Sequence, residues 1–130
     1  MIVENHPAVS QFIAEAIGEE GFGDNYTFGV VKDDTLIGGF AFSNYTGPTV
    51  NMSAAGVGRW CTHEFLNRCF SFAFNGLKCK RITVLVAESN AKALKLSKHV
   101  GFKEEGLVRM GEEEDGLVLL GMLKSECRYI

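Results

Sequence analysis

Two places in the chain combine residue types that could do chemistry. The first is Gly56-Val57-Gly58-Arg59-Trp60-Cys61-Thr62. Glycines just ahead of a helix start leave backbone amides free to point at an anion, and the helix N-terminus adds partial positive charge. Arg59 would add a charge-assisted bond to a phosphate there. The plainer reading pairs Arg59 with a surface carboxylate and puts Trp60 in the core. The second place is Ser97, set among Ala93, Leu96 and Val100 at helical spacing, so that its hydroxyl turns inward with an apolar stripe. That hydroxyl either gives a proton into a site or bonds back to the carbonyl of Ala93, as mid-helix serines do. Metal chemistry has no comparable pattern. Cys61, Cys69, Cys79 and Cys127 form no Cys-x-x-Cys pair, and His6, His63 and His99 do not join them at zinc-ligand spacing. Buried or idle thiols in a reducing compartment are expected.

The elements that must position these residues follow from periodicity. Pro7 to Ile17 reads as a short helix, with Val9, Phe12, Ile13 and Ile17 on one face. Gly18 to Asn25 is a glycine-rich acidic loop. Tyr26 to Val31, Leu36 to Tyr45 and Val50 to Ala55 alternate as strands. In the third of these, Asn51, Ser53 and Ala55 share one face; Val50, Met52 and Ala54 share the other. Gly56-Val57-Gly58 breaks it, and Thr62 to Asn75 is a helix with Phe65, Leu66, Cys69, Phe70, Ala73 and Phe74 inward. Ile82 to Ala87 is apolar at nearly every position, as a strand covered on both faces would be. Phe102 to Met110 and Leu117 to Leu123 form a hairpin, with an acidic turn over 112–116.

Between these strands lies Asn90-Ala91-Lys92-Ala93-Leu94-Lys95-Leu96-Ser97-Lys98-His99-Val100-Gly101-Phe102. Asn90 suits an N-cap, and Gly101 sits where a helix ends in a left-handed residue. Lys92, Lys95, Lys98 and His99 take the outer side; Lys95 and Lys98 read as solvated surface, though either could meet a phosphate. Lys103-Glu104-Glu105-Gly106-Leu107-Val108-Arg109 follows. This stretch resembles the GNAT superfamily of N-acetyltransferases, whose members carry an Asn-x-x-Ala/Ser helix ending in Gly-Phe and then a Glu-Gly-x-x-Arg strand. The matching residues are Asn90, Ala93, Gly101, Phe102, Glu105, Gly106 and Arg109. The nearest likeness is to the branch that acetylates N-termini of ribosomal proteins, and to small phage and prophage members of it. It is strong from about Trp60 to the C-terminus.

The resemblance implies an α/β fold, a central mixed β-sheet with helices on both faces, as one domain over residues 1–130. The superfamily usually opens with a strand and one more helix. Only about two dozen residues precede Tyr26 here, so the N-terminal part looks shortened, with the acceptor side open or completed by a second chain in a homodimer. The implied co-substrate is acetyl-CoA, with no metal. Its phosphate signature, Gln/Arg-x-x-Gly-x-Gly/Ala, falls on Ala55 to Trp60, so this chain has Ala55 for the first residue and Trp60 for the second glycine. The implied cofactor-binding residues are Met52, Ala54, Gly56, Gly58, Arg59, Trp60, Cys61, Thr62, Asn90 and Ala93. Many members place a tyrosine four residues before the Gly101 position to protonate the departing thiolate. Ser97 stands there instead.

No carboxylate on the third strand offers a general base, so either a water held by Asn51 or Ser53 takes the proton or the amine arrives neutral. An N-terminal α-amine, with an ordinary pKa of about 7.7–8.0 against about 10.4 for lysine, needs less help. The resemblance implies a primary amine of a protein or small molecule as acceptor, and the pKa comparison favours an N-terminal or other low-pKa amine. The rival is a catalytically inactive GNAT-fold module that binds or inhibits. The formal net charge of −3 disfavours a nucleic-acid surface. No apolar run approaches the roughly 20 residues that cross a bilayer, and Met1 to Pro7 has no signal-peptide pattern, so a cytoplasmic protein is expected.

Overall fold

The computed structural model describes residues 1–112 and 115–130. The chain forms β1 (Ile2–Glu4), α1 (Pro7–Ile17), β2 (Asn25–Lys32), β3 (Thr35–Ser43), β4 (Thr49–Gly56), α2 (His63–Phe70), β5 (Arg81–Ala87), α3 (Ala91–Val100), β6 (Lys103–Glu112) and β7 (Asp115–Leu123). One mixed seven-stranded sheet runs in the order β1-β2-β3-β4-β5-β7-β6. All pairs are antiparallel except β4 with β5. This is the mixed α/β sheet that the element order implies.

Each strand sends alternate side chains to opposite faces. Val50 and Met52 of β4, Ile82, Val84 and Val86 of β5, and Val118, Leu120 and Met122 of β7 all enter the main core. There they meet Phe65, Leu66, Cys69 and Phe70 of α2 and Val100 of α3. Seven phenylalanines in this core, Phe28, Phe40, Phe42, Phe65, Phe70, Phe74 and Phe102, are at most 3% exposed. Burial of each such ring stabilises by about 1.5–3 kcal/mol, which makes this layer the thermodynamic centre of the fold. On the opposite face α1 packs against β2, β3 and β4 through Val9 and Ile13, with Ala41 and half-buried Ala55 beneath.

Four expectations need correction. The N-terminal region holds a strand after all: β1 pairs with β2, and the single helix α1 lies between them. The helix from Thr62 does not stay α-helical to Asn75. It switches to π-helical bonding over Ser71–Gly76, where Ala73 and Phe74 are still buried. β5 is covered on one face only, since Leu85 is 45% exposed, and on α1 Ile17 is 38% exposed rather than packed with Val9 and Ile13. The acidic turn expected over 112–116 includes positions outside the described residues. The β6–β7 hairpin itself is present.

Candidate active site

β4 and β5 run parallel but pair only at Thr49↔Arg81, Val50↔Ile82 and Asn51↔Thr83. Beyond Asn51, β4 stays with β3 as far as Gly56, and β5 stays with β7 as far as Ala87. The two strands therefore part in mid-sheet. Half of the backbone amides and carbonyls on the facing edges lose a strand partner there. A cavity of about 520 Å³ fills the notch. Ser53, Ala54, Ala55 and Gly56 form one wall, and Val84 to Ala87 form the other. α3 closes one side with Asn90, Ala93, Leu96 and Ser97, and the end of α1 reaches the opposite rim with Ile17.

The loop from β4 to α2 lies next to this notch. Trp60 is 5% exposed, and its ring stands edge-on to Phe40 and Phe65 at centroid distances of 5.6 and 5.9 Å. It fills the space that side chains at Gly38 and Gly56 would occupy: a Cβ at Gly56 would lie 2.4 Å from the indole. The ring thus goes inward and forms part of the cavity floor. Gly58 takes a left-handed φ of 66° that turns the loop outward. The Val57 amide donates to Ile37 O and the Thr62 amide to Trp60 O. The Thr62 hydroxyl caps α2 by accepting from the Phe65 amide at 3.2 Å. The amides of Gly58, Arg59, Cys61, His63 and Glu64 have no internal acceptor among the described residues. Arg59 is exposed, with no ion-pair partner among the described residues, so the surface pairing is not formed.

Asn90 accepts from the Ala93 amide at 3.2 Å and so caps α3, as its position implies. Ser97 Oγ donates to Ala93 O at 2.8 Å. The back-bond is formed, and Ser97 is among the residues that line the cavity. Of the sequence-predicted residues, Ser53, Ala54, Gly56, Trp60, Asn90, Ala93 and Ser97 meet around the notch. Gly58, Arg59, Cys61 and Thr62 lie beyond it in the loop. Met52 is 6% exposed with its side chain in the core, which leaves only its backbone for a ligand. Asn51 is the last paired residue, on the same face as Ser53 but outside the cavity lining. Burial pushes the Cys61 thiol up to about 11, and the Cys69 thiol higher still, so neither is a ready nucleophile. Lys98 bonds Glu104 at 3.0 Å, while Lys92 stands at the cavity rim. The described residues contain no cluster suited to a metal ion.

Sequence reasoning missed Ile17, Glu19, Leu85 and Leu117, which line the other side of the notch. They come from α1, the loop after it, β5 and β7. Nothing in local periodicity marks them as neighbours of β4. The Glu105 of the motif also has an unforeseen role. It bonds Arg81 at 2.7 Å, and the pair crosses β7 at Gly121, where a Cβ would lie 2.5 Å from the guanidinium.

A mixed seven-stranded sheet whose central parallel pair parts into a notch, with a glycine-bearing loop and a helix start beside it, is the GNAT fold. Solved acetyltransferases share it. Mutant forms of the spermidine/spermine N-acetyltransferase SpeG from Vibrio cholerae superpose with a TM-score of 0.72 at 19% identity, covering 99% of this chain and 96% of that one. The dodecameric spermidine N-acetyltransferase from Vibrio cholerae in an intermediate state gives 0.70 at 19% identity, covering 96% and 94%. A ribosomal-protein-S5-alanine acetyltransferase from Vibrio fischeri gives 0.68 at 17%, covering 80% of this chain and 64% of that one. No family model and no curated protein sequence matches the chain.

Proposed function

We propose that the chain is an N-acetyltransferase that moves acetyl from acetyl-CoA directly to a primary amine. The observation that carries this reading is the parting of β4 from β5 beyond Asn51, with a cavity between them and unpaired amides in the loop that follows β4. The donor set suits a long anionic thioester. The amides of residues 58, 59, 61, 63 and 64, together with Arg59, would take the pyrophosphate. The free edge of Met52 to Gly56 would hydrogen-bond the pantetheine arm past Ala54. Asn90 and Ala93 would bound its far side.

Acetyl-CoA supplies an activated acetyl group as a thioester. In the transfer, a C–N bond forms, the C–S bond breaks and the electron pair goes to sulfur. A water held at Ser53, with Asn51 behind it on the same face, would take the proton that the amine loses. The Ser97 hydroxyl would return a proton to the sulfur, which requires only a rotation about Cβ–Oγ away from Ala93 O. Four free cysteines suit a reducing compartment, so we place the protein in the cytoplasm. None of the described helices is long and apolar enough to cross a membrane. A homodimer would complete the acceptor side where α1 stops at β4.

The test is calorimetry with acetyl-CoA, then thiol release in the presence of amines. Saturable binding with amine-dependent release is expected; no binding would end the reading. A second reading is favoured by the Ser97 back-bond and by Ala55 in the phosphate signature: a GNAT-fold module that binds without turnover. Binding without release under any amine selects it.

A further inference from the structure

A second depression, of about 750 Å³, lies where the end of β7 meets the start of β5, and it shares no lining residue with the notch. Lys80, Lys124, Asn75 and Ser125 supply its polar side chains. Leu123 and Ile130, 45% and 44% exposed, form its apolar wall. The Lys124 amide donates to Lys80 O at 3.0 Å, one step beyond the Arg81↔Leu123 pair, so the two lysines stand across from each other. Like charges in that relation repel. Among the described residues, the side chains of Lys80, Lys124, Asn75 and Ser125 have no ion pair and no hydrogen bond. Glu126, close by in sequence, is turned to Lys103 and to the Leu123 amide. Asn75 comes from the π-helical stretch Ser71–Gly76, a kind of turn that recurs at functional sites.

Charge and lining narrow what this depression can take. Among the described residues no aspartate or glutamate lines it. β7 is nine residues long, so Asp115, with Glu112 paired to it, begins roughly 26 Å away at about 3.3 Å per residue. The chain carries a formal −3, so this is a local positive surface on an acidic protein, and it draws anions. A lone phosphate would touch two exposed lysines and leave the apolar wall in water. A nucleic-acid strand wants rings to stack on, and the lining holds no aromatic side chain. An extended acidic peptide meets every part of the lining. Its carboxylates reach Lys80 and Lys124, an aliphatic side chain between them covers Leu123 and Ile130, and Asn75 and Ser125 bond its main chain.

We infer that the Lys80–Leu123–Lys124 depression is a docking site for an acidic peptide segment of a partner protein, one that sets an aliphatic side chain between carboxylates. The bound carboxylates relieve the repulsion between the two lysines, and the aliphatic group removes Leu123 and Ile130 from water. Both lysines are exposed, so the charge part of the affinity is modest and falls as salt rises. The site stands apart from the notch, and the inference does not depend on the acetyltransferase reading.

The experiment uses the full chain. A displayed library of random peptides is selected against the natural chain and against a double variant, Lys80→Glu with Lys124→Glu. Peptides enriched on the natural chain alone should carry aspartate or glutamate on both sides of leucine, isoleucine or valine. The most enriched peptide is then synthesised with a fluorescent label and titrated by anisotropy. Its Kd should rise about tenfold or more in the double variant. It should also rise in Leu123→Ser and with added salt. Melting temperatures check that each variant is folded; Lys80→Gln with Lys124→Gln takes the place of a charge reversal that melts early. Equal enrichment on the natural chain and the variant, or enriched peptides without acidic residues, overturns the inference. Labelled single-stranded RNA that binds the natural chain and not the variant assigns the surface to nucleic acid and overturns it as well. A dimer by sedimentation that the variant abolishes assigns the depression to a second copy, with the same consequence.

Discussion

The Ser97 hydroxyl donates to the Ala93 carbonyl one turn back at 2.8 Å, and both residues line the cavity between the parted strands. One group therefore has a structural bond at rest and a position from which it could serve a reacting sulfur. The bond to Ala93 is the weaker claim on the proton once a thiolate forms, because a charged acceptor makes the stronger hydrogen bond.

Ser97→Ala should therefore leave the fold intact. Alanine is the better helix former, so the melting temperature should hold or rise slightly. Turnover should fall by about 10²-fold, in the range of a lost general acid. Acetyl-CoA affinity should not move, since the negative charge on sulfur develops only in the transition state. Turnover, affinity and melting temperature measured on one preparation check this. Full turnover would return Ser97 to its helix bond alone.

Arg59 is exposed at the turn into α2 and has no ion-pair partner among the described residues. Its removal should cost nothing in folding. Arg59→Ala should weaken acetyl-CoA binding by about 1.5–3 kcal/mol, the worth of a hydrogen bond to a charged group. The loss should shrink as salt rises. Calorimetry at two salt concentrations checks both statements. Unchanged affinity would remove Arg59 from the phosphate site.

Much of this site was legible in the sequence because it rests on local rules. Asn90 caps α3, Gly101 ends it and Ser97 joins its inward stripe, each readable from neighbours within one or two turns. What was not legible depends on layers. The run 82–87 reads the same whether its second face is covered by a helix or left open, so the exposure of Leu85 could not be foreseen. Three residues, Ile2 to Glu4, are too short to show a period, and β1 exists because β2 offers it an edge. The change to π-helical bonding at Ser71 has no residue signature. Tyr26 stacks on Phe72 at 4.6 Å, a contact between chain segments far apart in sequence that no local rule shows.

The two loop glycines should respond differently to alanine. At Gly56 the added Cβ would lie 2.4 Å from the buried indole of Trp60, which packs edge-on against Phe40 and Phe65. Overpacking of this kind costs about 1–3 kcal/mol. At Gly58 nothing lies within 4 Å, and the cost is only the left-handed φ of 66°, about 1–2 kcal/mol. Asparagine tolerates that conformation, so Gly58→Asn should recover most of the loss while no polar or larger residue rescues position 56. Thermal unfolding of Gly56→Ala, Gly58→Ala and Gly58→Asn separates steric from conformational cost. Equal losses in Gly58→Ala and Gly58→Asn would contradict the assignment.

Asp115 predicts a pH dependence. Its carboxylate accepts from the hydroxyl and, at 3.2 Å, the amide of Ser89, and from the Gly116 amide at 2.9 Å. These bonds favour the ionised form, chiefly through the Ser89 hydroxyl, and hold the group below its ordinary value. A folded-state pKa below the unfolded one means that the stabilisation is fully present above the unfolded value, near 4, and is lost as pH falls through the folded one. The Ser89–Asp115 bonds tie the β5–α3 loop, which carries Asn90, to the start of β7. Asp115→Asn cannot titrate. The difference in urea midpoint between the natural chain and Asp115→Asn should therefore be widest near pH 6 and should narrow below about pH 4. Glu126, also held low by Lys103 and the Leu123 amide, titrates alike in both proteins and cancels in the difference. Ser89→Ala should raise the Asp115 pKa, measurable by carboxyl NMR, and move the narrowing to higher pH. A difference that stays constant from pH 6 to below pH 3 would show that the two positions are coupled by packing and not by the ionised carboxylate.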